Sequence, residues 1–141
     1  MATTPTSPWG ARRREILASA ARTATGNSDT LTGIERYTSF VALIDVTANG
    51  GTSQTLDVAV QTLLPDGITW QPLAQFQQFT TSNLMRVASV VSGGDSIGDV
   101  DTTLAAGTIK DFVLGDTFRV RFVIGGTNPS FTFAVFISLY P

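Results

Sequence analysis

Hydrophobic and polar residues alternate over long stretches of the chain. From Gln54 to Thr62, Leu56, Val58 and Val60 fall on one side and Thr55, Asp57, Ala59 and Gln61 on the other. That period of two is the mark of a half-buried strand. Thr117 to Ile124 repeats it, with Phe118, Val120, Phe122 and Ile124 inward and Arg119 and Arg121 outward. Ser130 to Tyr140 places Phe131, Phe133, Val135, Ile137 and Leu139 on one face, leaving Phe136 and Tyr140 on the other. Tyr37 to Thr47 turns Phe40, Ala42, Ile44 and Val46 inward, yet Val41 and Leu43 make its outer face apolar as well. A strand apolar on both faces is expected to be covered on both. Weaker strand patterns span 16–25, 68–73, 84–91 and 110–114.

Turn residues punctuate this pattern. Asn49-Gly50-Gly51 lies between two strong strands and predicts a hairpin, because Asn and Gly both tolerate positive φ. In Pro65-Asp66-Gly67, Pro presets φ, Asp caps and Gly takes the left-handed position. The run Gly125-Gly126-Thr127-Asn128-Pro129 is expected to close a last hairpin, and residues 92–109 to form one long loop. About eight strands and no convincing helix predict an all-β fold, an antiparallel β-sandwich or jelly roll over residues 15–141, preceded by an extended N-terminal arm over 1–14.

Composition narrows the chemistry. The 141 residues fit one domain with a sizeable core. Charged residues are only 14%, against about 25% in an average protein, so Ser, Thr, Gly, Asn and Gln must make much of the surface. Cysteine and histidine are absent, which excludes thiolate nucleophiles, disulfides, Cys/His zinc sites and imidazole catalysis. No apolar run is long enough to span a membrane, and the stretch after Arg14 is too short and too weakly apolar for a signal peptide. Asp95, Asp99 and Asp101 sit among glycines in the long loop, but their spacing is not that of a calcium hand and no bidentate Glu follows. A carboxylate pair for glycoside hydrolysis, or a serine activated by the single lysine, Lys110, finds no supporting motif. The expectation is a protein without enzymatic activity, cofactor, metal or small-molecule substrate.

The first ten residues, MATTPTSPWG, cannot pack a core. Arg12, Arg13, Arg14 and Arg22 are four of the nine basic residues; the 119 residues after Arg22 carry five basic side chains against ten acidic ones. Such a terminus is either a solvated tail or an anchoring arm. Trp9 favours the arm, since Trp and Arg dominate interface hot spots. On that reading Trp9 fills an apolar pocket on a partner, and Arg12, Arg13 and Arg14 face acidic groups there. The acidic body argues against a nucleic-acid partner.

The stretches 17–28, Leu43-Ile44-Asp45-Val46-Thr47-Ala48, Thr55-Leu56-Asp57-Val58, Pro65-Asp66-Gly67 with Trp70, Phe118-Arg119-Val120 and Pro129-Ser130-Phe131-Thr132-Phe133 resemble a family of small virion proteins of tailed bacteriophages. The resemblance runs from about residue 17 and implies a jelly-roll or sandwich domain, in some members a capsid decoration protein. It implies a structural protein of the virion, assembled in the bacterial host cytoplasm, that decorates the capsid as a homo-oligomer, expected to be a trimer, with the phage major capsid protein and further copies of itself as partners. A tail-tube, neck or collar protein is the alternative, and a carbohydrate-binding sandwich the third reading, although Trp70 and Tyr140 alone do not make the aromatic cluster that sugar binders present. Val41, Leu43, Phe136 and Tyr140, outward and apolar, are the expected oligomer interface.

Overall fold

Two strands are far longer than the pattern predicts. A computed structural model describes residues 11–93 and 97–141, so Trp9 and Asp95 lie outside the described residues. The strands are β1 (Arg12–Arg22), β2 (Gly26–Asn27), β3 (Ser39–Leu63), β4 (Trp70–Gln75), β5 (Leu84–Val91), β6 (Thr108–Ile109) and β7 (Phe118–Tyr140). All pairings are antiparallel, and the described residues include no helix. β3 and β7 pair along almost their whole length, from Ser39 opposite Tyr140 to Thr62 opposite Phe118.

The two expected glycine hairpins are therefore absent. Residues 49–51 and 125–129 lie opposite each other inside this one ladder, with Gly50 facing Ser130 and Thr55 facing Gly125. The pairing slips between Val46 and Ala48, Gly50 and Thr52, and Thr52 and Thr55. Positive φ at Gly51 (107°), Ser53 (53°), Gly126 (115°) and Asn128 (47°) falls at the same place. Irregularities of this kind bend a strand without reversing it. The sequence signals for positive φ are real, but both flanks of each segment pair with the other strand and not with one another. Backbones approach closely here: a Cβ on Gly51 would lie 2.6 Å from the Asn128 carbonyl oxygen, and one on Gly126 would lie 2.8 Å from Cα of Gln54.

The bend folds the ladder into a sandwich. One leaf carries the first half of β3 and the second half of β7, flanked by β5 and β1; the other carries the remaining halves, flanked by β4, β6 and β2. Opposite leaves meet through edge-to-face aromatic pairs, Phe40 on Phe118 at 5.3 Å and Phe122 on Phe133 at 5.4 Å. The alternating residues expected inside are buried: Phe40, Ala42, Ile44 and Val46; Leu56, Val58 and Val60; Phe118, Val120 and Phe122; Phe131, Phe133 and Val135. Leu31, Ile34, Phe79 and Leu114 come in from connecting segments to complete the core. The expected strand over 110–114 is irregular chain held by Leu114, while 37–47 with 54–62 and 117–124 with 130–140 fuse pairwise into β3 and β7. Five of the observed strands account for the expected ones, and the two-residue strands β2 and β6, which the pattern does not show, bring the total to seven.

Arg12, Arg13 and Arg14 fall in β1, opposite Leu139, Ser138 and Ile137. The strand thus begins inside the stretch expected to be arm. Backbone pairing to β7 is enough to hold it, whatever its side chains.

At the bend, Gly126→Ala should destabilise the fold by about 1–3 kcal/mol, through strain at positive φ and backbone contact. Gly50→Ala, where an added Cβ meets nothing within 4 Å, should stay within about 0.5 kcal/mol of the parent. Urea unfolding of the two variants checks the contrast, and equal losses would contradict a bend localised at Gly51 and Gly126.

Candidate functional site

Val41, Leu43, Phe136 and Tyr140 lie on the same outer face of the first leaf. Cross-strand register sets the rows: Val91, Ser39 and Tyr140; Ser89, Val41, Ser138 and Arg13; Val87, Leu43, Phe136 and Glu15; Met85, Asp45 and Ala134. Val41 and Leu43 are half-buried and Phe136 and Tyr140 are 38% exposed, whereas Met85, Val87 and Val91 of β5 are about two-thirds exposed. The β5 residues extend the apolar face, and the sequence reading missed them. Burial alternates along Leu84–Val91 once it pairs with β3, but the sequence there is apolar at both parities and does not show which side chains face outward. Arg13, Glu15 and Asp45 put charges on the same face.

Strand alternation also divides the triple arginine. Arg13 shares the outer row of Ser138, while Arg12 and Arg14 stand opposite the core residues Leu139 and Ile137. The Arg12 guanidinium donates to the Thr32 carbonyl at 3.3 Å. Arg22 is structural. It donates to the carbonyls of Ala18 (2.6 Å), Phe133 (2.9 Å) and Ala20 (3.1 Å), and its guanidinium lies over the Phe133 and Phe122 rings. Partial burial lowers its pKa without discharging it.

The outer face of the second leaf is mostly polar, with Val123 exposed opposite Asp57. Arg119 stacks over Trp70 at 4.3 Å and donates from Nε to Gln61 Oε1 at 2.7 Å; Arg121 donates to Asn27 at 3.3 Å. Desolvation, and then the charge of Arg121, lowers the Arg119 pKa. Trp70 and Tyr140 belong to opposite leaves and both point outward, so they form no common platform for a sugar.

In the long loop, Asp101 Oδ2 pairs with Lys110 Nζ at 2.6 Å, and the Asp101 amide donates to Gln71 Oε1 at 3.0 Å. Among the described residues no three acidic groups converge as metal ligands would.

A crevice of about 920 Å³ opens at the sandwich end away from the bend. Its walls include Glu35, Tyr37, Leu64, Phe112, Val113 and Leu114. The turn expected at 65–67 forms one side: Gly67 has φ 71°, and the Asp66 carboxylate accepts from the Ile68 and Thr69 amides at 3.0 and 2.8 Å and from the Thr69 hydroxyl.

No protein-family model matches this sequence, and neither does any curated protein or solved structure.

The Thr69 hydroxyl, followed by the amides of Thr69 and Ile68, holds the Asp66 carboxyl below its ordinary value. A depressed carboxyl stabilises the folded state above its unfolded pKa, about 3.9, and that contribution is lost as pH falls through the lower folded value. Thr69→Val should raise the Asp66 pKa toward the ordinary value, read by NMR titration of its side-chain carboxyl. An unchanged midpoint would contradict the hydroxyl's role.

Proposed function

We propose that the protein is a structural subunit that works by packing against further copies of itself on a larger particle, as the resemblance to phage capsid decoration proteins implies. The observation that carries this reading is the outward face of the first leaf. Val41, Leu43, Met85, Val87, Val91, Phe136 and Tyr140 line one side of it, and contiguous exposed apolar surface of this kind marks interfaces. The face ends at β5, which among the described strands pairs with β3 alone. Arg13, Glu15 and Asp45 supply both signs of charge for a neighbour's complementary groups. A closed ring, a trimer on the decoration reading, covers this face on each copy. The mostly polar second leaf, where Arg119 covers Trp70, suits solvent. The particle on this reading is the capsid and the partner its major capsid protein. A tail-tube, neck or collar subunit would use the same apolar face, and copy number separates the two: hundreds per virion for decoration, rings of a few for the alternatives.

Met85→Glu with Val87→Glu places charge at two exposed positions, so the unfolding midpoint should hold. Self-association, measured by sedimentation equilibrium, should weaken by at least about thirtyfold, the equivalent of roughly 2 kcal/mol for a hot-spot cluster. Electron microscopy of particles from infected cells should place the density on the shell. A parent protein that stays monomeric, both free and on particles, would refute the assembly reading.

A further inference from the structure

We infer that β5 is a docking edge for the β5 strand of a second copy, the two pairing antiparallel across a twofold axis at Ala88. This docking does not depend on the particle reading, because it uses the backbone edge of β5 and not the apolar face. Among the described strands, β1 and β5 form the rims of the first leaf and β2 and β6 those of the second. Three of these rims resist a further partner. β2 and β6 have two residues each. β1 shifts register between Glu15 and Leu17 and again between Leu17 and Ala20, and it carries Arg12, Arg13 and Arg14. Short length, bulges and charge are the means by which sheet edges are kept from joining.

β5 has none of them. Its eight residues hold no proline or glycine and pair with β3 without a register shift. Its one charged residue, Arg86, is engaged within its own subunit: the guanidinium donates to the Gln77 and Gln78 carbonyls and lies over the Phe79 ring. A cleft of about 340 Å³ opens beside Val87, Ala88 and Ser89, so the middle of the strand is accessible. A regular, apolar edge of this length is a template for another strand.

The ladder decides which groups that edge offers. The Ser92 amide donates to the Thr38 carbonyl. Alternation from there directs the amides of Val90, Ala88 and Arg86 to β3, and those of Val91, Ser89, Val87 and Met85 to the free edge. Residues directly opposite each other in an antiparallel pair share a face. A twofold axis at Ala88 meets both conditions. Val87 stands opposite Ser89 of the second copy and Met85 opposite Val91, so edge amides meet edge carbonyls and exposed side chains stand beside exposed ones. The small Ala88 side chains meet at the axis, and Arg86 faces Val90 rather than a like charge. β1 as partner would bring three arginines and two bulges to the same edge, and β2 or β6 too few residues. The matching edge within this chain is β5 itself. Such an isologous pair closes on itself and leaves the apolar outer faces of both copies contiguous on one side.

Ser89→Pro removes one edge amide from each copy while sparing the β3 ladder and the apolar side chains. In sedimentation equilibrium it should weaken dimerisation by at least about tenfold, with the unfolding midpoint held. The chain has no cysteine, so Ala88→Cys places the sole thiol of each copy at the axis, where Cα atoms about 4.5 Å apart lie in disulfide range. Mild oxidation should give a covalent dimer, far faster than for Thr81→Cys, an exposed site beyond the strand. A parent that stays monomeric in solution at every concentration would overturn the inference, whatever it does on particles. So would self-association that survives Ser89→Pro but is lost in Met85→Glu with Val87→Glu, since the copies would then meet through the apolar face alone. If Ser89→Pro does not fold, Ala88→Cys decides: slow cross-linking in a protein that still self-associates would put the contact elsewhere.

Discussion

The register between β3 and β7 is the constraint on which the rest depends. From Phe40 opposite Leu139 to Thr62 opposite Phe118, each pair in that ladder commits both of its side chains to the same face, core or surface. A slip of one residue would turn Phe133, Val135 and Ile137 outward together. The bend at Gly51 and Gly126 then brings the inner face of one half of the ladder against that of the other, and Phe40 meets Phe118 only because of it. Burying several phenylalanines at one interface, each contributing on the order of 1.5–3 kcal/mol of transfer free energy, outweighs the strain of positive φ at Ser53 and Asn128. The other strands add to edges this ladder already defines.

How much of this was legible depends on whether the signal is local. Alternation at 54–62, 117–124 and 130–140 reports directly which side chains face inward, and those residues are buried except Ile124, next to the bend, which is half-buried. The path of the chain between such runs is a nonlocal matter. Asn49-Gly50-Gly51 announces positive φ, but whether the chain then reverses or bends depends on what lies opposite, here residues 127–130 some 80 positions away. The same limit explains β1. Arg12–Arg14 lack the apolar alternation that reveals a strand; they are strand because β7 offers them an unpaired edge. On the candidate face, Val41 and Leu43 were visible because they sit in a strongly periodic strand. Met85, Val87 and Val91 were not singled out, since nothing in the sequence said which strand would pair with Leu84–Val91.

The two outer faces of the sandwich show how burial outside a core is resolved in different ways. On the second leaf the molecule covers its own apolar surface, with the Arg119 guanidinium over Trp70 and its Nε satisfied by Gln61. Guanidinium planes suit this because they stack and remain hydrated at the rim. On the first leaf the row of Val87, Leu43 and Phe136 has no arginine in it and ends in Glu15 at β1. The contrast lies within one sheet of one protein, so overall hydrophobicity cannot account for it. It follows from the residue types placed at outward positions of β5 and β7.

Topology also governs when that apolar face exists. Leu43 lies between Val87 and Phe136, and Phe136 belongs to the last strand, which pairs both with β3 and with the first strand, β1. Until residues 118–140 dock, β1 has no partner and β3 lacks the long edge against which the core folds. The contiguous face is therefore a property of the completed sandwich and not of any fragment. Pairing of this nonlocal kind is slow, and slow folding leaves strand edges open to wrong partners. A face that draws its rows from β5, β3, β7 and β1 presents a contiguous apolar surface only once those strands have paired and the core is closed.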